Sequence, residues 1–149
     1  MKAVVQRVVD ASVTVGGRLC GSIDRGLLVY LGVGKDDGAG DIAWLAEKIA
    51  FLRIFEDDAG KMNLSVQDVS GSILVVSQFT LYANASKGRR PSYSEAAEPE
   101  LANALYENFK KEIQKHVPIV ASGEFGADMD VRYTNKGPVT IILDTKTRQ

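Results

Sequence analysis

Ser77, Gln78 and Thr80 put three polar side chains into the run Ile73 to Tyr82, I-L-V-V-S-Q-F-T-L-Y. The first four residues of that run are apolar and rich in β-branched side chains, which predicts a strand buried on both faces. A hydroxyl or amide buried there without a partner costs about 1–3 kcal/mol. These groups therefore either bond inward as a satisfied strand end or open into a pocket, and we read a pocket. Hydroxyls with no neighbouring base are poor nucleophiles. If the run is catalytic, its substrate must be easily cleaved or must bring a catalytic group of its own.

Other residue types narrow the chemistry. His116 is the only histidine, and it reads as a helix-terminal cation. With one histidine and one cysteine, no zinc site of the usual ligand set is formed, and nothing places His116 near Ser77 for a serine triad. Neither a phosphate loop nor a dinucleotide fingerprint occurs. Asp36-Asp37 and Asp57-Asp58 read as solvated turns rather than metal ligands, and Cys20 as a small core residue. No cofactor or metal is expected. Two weak signals remain. K-G-R-R-P at 87–91 is either a solvated loop or an RNA contact, and Gly137-Pro138 is by itself a turn signal.

These residues must be positioned by a scaffold. Lys2 to Val15 reads as a long strand whose alternation changes phase near Val8-Val9, a bulge or bend. Gly16-Gly17 turns into a returning strand, Arg18 to Ile23. Gly26 to Val33 is a buried strand. Asp41 is expected to cap a helix running to Phe55, with Ile42, Leu45, Ile49, Leu52 and Phe55 on its apolar stripe. Lys61 to Ser70 reads as an irregular strand, and the central strand is expected from Ile73 to Tyr82. A second helix starts at Pro99, with Leu101, Leu105, Phe109 and Ile113 inward, and stops before Pro118. Ile119 to Ala121, Asp128 to Thr134 and Val139 to Asp144 are strand-like, the last two separated by Lys136-Gly137-Pro138. The tail Thr145 to Gln149 is polar and reads as frayed. About seven strands grouped at both ends and two helices make an α+β pattern.

With 149 residues, 45% hydrophobic and 25% charged, the chain reads as one domain, 1–149, able to bury a core without cross-links. A single cysteine permits no internal disulfide, and no apolar run is long enough to span a membrane. The chain therefore reads as cytoplasmic and membrane-free. Its net charge of −1 removes any whole-surface attraction for nucleic acid, so RNA contact must come from a local basic patch.

The weak signals occur together, and with them the chain resembles the D-aminoacyl-tRNA deacylase family, also called D-tyrosyl-tRNA deacylases. The resemblance rests on S-Q-F-T-L at 77–81, N-K-G-P-V-T at 135–140, K-G-R-R-P-S at 87–92 and G-K-M-N at 60–63. It rests also on K-A-V-V-Q-R-V at the start and the later G-L-L-V-Y-L-G-V. The first two motifs together are highly specific. Lys136 departs from the pattern, which has an acidic residue there.

The resemblance implies a single α+β domain with a twisted, mostly antiparallel, barrel-like sheet and two main helices, acting as a homodimer. It implies hydrolysis of the ester that joins a D-amino acid to the 3′-terminal ribose of tRNA, and clearance of glycine from alanine tRNA. Ser77, Gln78, Phe79 and Thr80 would form the catalytic segment. Gly137-Pro138, with a cis peptide, would reach into the other subunit's site and exclude L side chains. Arg7 would hold that dipeptide from behind, and Phe125 and Met129 would lie near the same pocket. Lys87, Arg89 and Arg90 are candidate tRNA contacts. Two other readings stay open: a non-catalytic nucleic-acid-binding protein on the same fold, and a small-molecule esterase, for which no activated nucleophile is visible.

Overall fold

The computed structural model describes residues 1–148. Strand β1 (Lys2–Val15) is its spine, because it pairs on both edges and changes partners along its length. Its first half pairs antiparallel with β3 (Gly26–Gly32), and its second half with β2 (Arg18–Ile23). The change falls at the expected irregularity: Val8 and Ala11 are buried while Val9 and Asp10 between them are exposed.

β3 continues the sheet in parallel with β6 (Ser72–Ser77), and β6 in parallel with β7 (Val120–Ser122). The last strand, β8 (Asp130–Asp144), runs antiparallel along nearly all of β1. The sheet is thus mixed, with antiparallel pairing around β1 and a parallel arm of β3, β6 and β7. It nearly closes on itself. Gly21 of β2 comes so close to β7 that a Cβ there would lie 2.6 Å from the Ser122 carbonyl oxygen. A short hairpin of β4 (Phe55–Glu56) and β5 (Met62–Leu64) stands apart.

Helices α1 (Ala39–Ala50) and α2 (Pro99–Gln114) pack on the outer face of the sheet. Leu27, Val29, Leu31, Ile73 and Val75 point toward the helices, whereas Leu28, Leu74 and Val76 point into the curled sheet with Val8, Val13 and Ile23. β3 and β6 are therefore buried on both faces, as continuous apolar runs require.

Several boundaries differ from expectation. Helix α1 starts at Ala39, and Asp41 lies inside its first turn, where its carboxylate accepts the Gly38 N–H at 2.9 Å. The helix ends at Ala50 instead of Phe55, because Phe55 pairs with Leu64 and the Ile54 carbonyl accepts an Arg7 N–H. In α2 the buried residues are Ala102, Tyr106, Phe109 and Ile113, while Leu101 is 42% exposed. A ladder of strict fourth residues gains about 40° per step on a helix of 3.6 residues per turn. Leu101 has therefore rotated off the stripe that 4-3-4 spacing keeps inward.

Between Lys61 and Ser70 only Met62–Leu64 is strand, and 66–70 is turn. β7 begins one residue later than expected. The segment 130–144, expected as two strands, is one strand carrying a bulge. Thr145 is 4% exposed rather than frayed. Its N–H donates to the Met1 carbonyl at 2.9 Å, and its hydroxyl joins Met1 and Asp41. Gln149, the end of that predicted tail, lies outside the described residues.

Candidate active site

Strand β6 ends at Ser77, and Phe79–Tyr82 forms a 3₁₀ turn rather than more strand. The apolar run that paired with β3 stops at Leu31↔Ser77, with one last bond from the Gln78 N–H to the Leu31 carbonyl at 2.8 Å. Past that point the backbone leaves the sheet. The N–H groups of Phe79 and Thr80 open the turn, where no preceding helical carbonyl reaches them. Among the described residues they donate to no protein acceptor.

The turn is anchored at its far end. The Tyr82 hydroxyl donates to Asp37 Oδ2 at 3.2 Å, and the same carboxylate accepts the Gly34 N–H and the Met1 ammonium, at 2.6 and 2.7 Å. Burial, then the Asp37 charge, pushes the Tyr82 hydroxyl well above its ordinary range, so it stays a donor.

A cavity of about 570 Å³ opens beside this turn. It lies at the carboxyl ends of the three parallel strands, bounded by Val33 after β3, Ser77 to Phe79 at and beyond the end of β6, and Phe125 to Met129 after β7. Ligand sites of parallel sheets lie at that end because loops, not ladders, occupy it. The N-terminal turn of α2, at Pro99 and Ala102, closes one side. The expected residues Ser77, Gln78, Phe79, Phe125 and Met129 all lie on this wall. Thr80 does not line it, and its Oγ1 accepts a bond from Gln78 Nε2.

Gly137 and Pro138 lie elsewhere. Gln6 pairs with Thr140 and Val8 with Asn135, so residues 136–139 of β8 bulge out opposite Arg7 alone. The Gly137-Pro138 peptide is cis and Gly137 has φ +127°. The bulge is clasped by its own motif. The Val139 N–H donates to Asn135 Oδ1 at 3.2 Å, and the Asn135 and Gln6 amides both donate to Thr140 Oγ1 at 3.1 Å. Arg7, 7% exposed, stands behind it. Its Nε donates to the Lys136 carbonyl at 3.0 Å and its Nη1 to the Ile54 carbonyl at 2.8 Å. Gly137 and Pro138 are exposed and do not line their own chain's cavity.

Lys87, Arg89 and Arg90 are exposed on the loop between Asn84 and Ser92, whose backbones exchange two bonds of 2.8 and 2.9 Å. Sequence reasoning missed Tyr93, Glu98 and Asp128 on the cavity wall. For Tyr93 a signal existed, an aromatic directly after the basic loop. His116 sits edge-on to Phe51, away from the cavity lining.

Residues 4–144 match a family model described as D-Tyr-tRNA(Tyr) deacylase. The D-aminoacyl-tRNA deacylase of Thermosipho africanus (strain TCF52B) is 57% identical over 146 residues, 98% of each chain. That of Syntrophobacter fumaroxidans (strain DSM 10017 / MPOB) is likewise 57% identical over 146 residues, with 98% of each chain covered. Among solved structures, the c-Myc DNA Unwinding Element Binding Protein superposes with a TM-score of 0.92 at 44% identity, covering 97% of this chain and 98% of that one. A probable eukaryotic D-amino acid tRNA deacylase superposes at 0.82 over 95% of this chain and 97% of that one. At 18% identity it shows a likeness of fold alone.

Proposed function

The chain belongs to the D-Tyr-tRNA(Tyr) deacylase family, and from that premise we propose that it hydrolyses the ester between a D-amino acid and the 3′-terminal ribose of tRNA. The observation that carries this reading is the cavity itself. Its wall joins the S-Q-F segment to Phe125 and Met129 at the ends of the parallel strands.

An aminoacyl ester is activated and needs little help. Water adds to the carbonyl carbon, the acyl–oxygen bond breaks, and the ribose oxygen leaves as a hydroxyl. The free N–H groups of Phe79 and Thr80 are suited to hold the oxyanion that develops. The vicinal ribose 2′-hydroxyl can relay the proton between incoming water and leaving oxygen. Thr80 is a poor nucleophile here, because its oxygen already accepts from Gln78 Nε2. A donating amide cannot remove the threonine proton.

Discrimination between D and L is assigned to Gly137 and Pro138 of a second copy in a homodimer. In support, the bulge is exposed and does not line its own chain's cavity, so it acts at a site only when another copy presents it. Ile142, further along the same strand, is 71% exposed, as a strand face awaiting a partner would be. Main-chain carbonyls there would bind the α-ammonium and leave an L side chain no room. A thousandfold rejection requires roughly 4 kcal/mol, which a clash with rigid backbone supplies. Glycine has no side chain to exclude, so glycine mischarged on alanine tRNA would pass the same filter. We infer a cytoplasmic location, which a tRNA substrate supports.

The second reading, nucleic-acid binding without turnover, is favoured by one observation, the likeness at 44% identity to a DNA-unwinding-element binding protein. Matched D- and L-aminoacyl-tRNA incubated with the protein separate the two. Release of the D-amino acid alone is expected, and binding of both without release would overturn the deacylase reading.

A further inference from the structure

Phe79 and Tyr93 form an exposed aromatic pair at the cavity. Phe79 is 55% and Tyr93 39% exposed, yet both lie on the cavity wall. Their ring centroids are 5.1 Å apart at an interplanar angle of 67°. An edge-to-face pair holds each ring in place while leaving ring face uncovered. The backbone on either side of Tyr93 is fixed. Ser92 exchanges two bonds with Asn84, and the Tyr93 carbonyl accepts the Ala96 N–H at 3.0 Å. The pair is therefore a rigid apolar ledge in contact with water.

Its neighbours indicate what covers it. The Asn84–Ser92 bridge that fixes Tyr93 also closes the loop bearing Lys87, Arg89 and Arg90, and no acidic residue occurs from Asn84 to Ser94. Along the chain, a closed loop of three cations thus lies between the two rings of the aromatic ledge. Single-stranded nucleic acid is bound by that combination, bases stacked on aromatic faces and phosphates tracked by positive charge. The cationic loop beside the ledge favours a polyanion over a second copy of a chain whose net charge is −1.

We propose that Tyr93, braced by Phe79, is the stacking platform for a base of the single-stranded 3′ end of the RNA, outside the chamber that takes the ester. The identity of the RNA rests on the deacylase reading, whereas the stacking does not. The test uses a short RNA with the tRNA 3′-terminal sequence, carrying 2-aminopurine in turn at the last and the preceding position. Its fluorescence is titrated with the unaltered protein, Tyr93→Phe and Tyr93→Leu. Quenching at one position is expected with the unaltered protein and with Tyr93→Phe, and binding at least tenfold weaker with Tyr93→Leu. In deacylation, Tyr93→Leu should raise KM about tenfold with kcat within about twofold, and Tyr93→Phe should restore KM.

Binding by Tyr93→Leu within twofold of the unaltered protein overturns the proposal. So does a loss of kcat at constant KM, which marks a purely structural ring, or a change in oligomeric state, which marks a ring covered by a second copy. Tyr93-dependent quenching without any turnover would sink the deacylase reading and leave the proposal standing. Turnover with no dependence on Tyr93 would do the reverse.

Discussion

Arg7 Nε donates to the Lys136 carbonyl at 3.0 Å, at the one place where β8 sets residues 136–139 against a single residue of β1. A buried guanidinium thus ties the strand to the residue before Gly137. Its second bond, from Nη1 to the Ile54 carbonyl, extends the tie to the segment after α1.

Arg7→Ala should therefore remove donors from two carbonyls at once. At about 1–3 kcal/mol for each of the two groups left without a partner, the loss of stability is about 2–6 kcal/mol. Arg7→Lys should fall between, since an ammonium lacks the planar fork that serves both carbonyls. Urea denaturation measures this, and L-aminoacyl-tRNA hydrolysis should rise in the same order as the bulge loosens.

Gly137→Ala attacks the bulge from inside. At φ +127° an L side chain is strained, and its Cβ would lie 2.8 Å from Arg7 Nη2 and 3.0 Å from Val139 Cγ2. Arg7 has little room to retreat. The variant should fold with a lowered Tm and lose at least tenfold in the ratio of D to L hydrolysis, read from paired single-turnover assays.

Thr80→Ala should keep deacylation within about tenfold of the original, a barrier change under about 1.4 kcal/mol. The variant loses the Gln78–Thr80 bond but keeps both backbone N–H groups. A thousandfold fall in kcat, with tRNA affinity intact, would instead make Thr80 the nucleophile.

Replacing Lys87, Arg89 and Arg90 by Gln should weaken tRNA binding and flatten its salt dependence. Each single-strand phosphate contact contributes about 0.7 to the slope of log K against log salt, so the slope should fall by about 2. Filter binding between low and physiological salt reads it out, and kcat at saturating tRNA should stay the same.

Asp41 sets an acid limit. Burial works to raise its carboxyl, but the Thr145 hydroxyl, the Gly38 N–H and the Lys146 ammonium together hold it at about 2, below its ordinary 3.8. The charged form is favoured in the fold. The stability it lends is full above about pH 4 and is lost as pH falls toward 2. Asp41→Asn should lower Tm at neutral pH by a few degrees, since a helix-start acceptor is worth about 0.5–2 kcal/mol. It should also give a shallower fall of Tm between pH 4 and 2, measured by calorimetry.

The residues show how far sequence reading reaches. The burial of β6 was legible because four consecutive apolar residues leave no face for water. Its end was not, since Leu81 and Tyr82 look equally strand-like and only the loss of pairing after Leu31 turns the chain. The α2 stripe was misread by one position at Leu101 because a ladder of fourth residues drifts around the helix. The bulge near Val8-Val9 is legible as a phase change, whereas the one at 136–139 reads in sequence as a break between strands.

By itself the sequence determined that β3 and β6 are buried on both faces, and its motifs S-Q-F-T-L and N-K-G-P-V-T marked the candidate site segments. These are local matters, set by residue type and spacing along one stretch of chain. The tertiary structure decided how Arg7 holds the bulge, through the Lys136 carbonyl 129 residues away. It alone decided that the cavity lies where three parallel strands end, and that Tyr93 leans on Phe79 at its edge. Strand register and loop closure select such partners, and both follow from packing the whole sheet against its two helices.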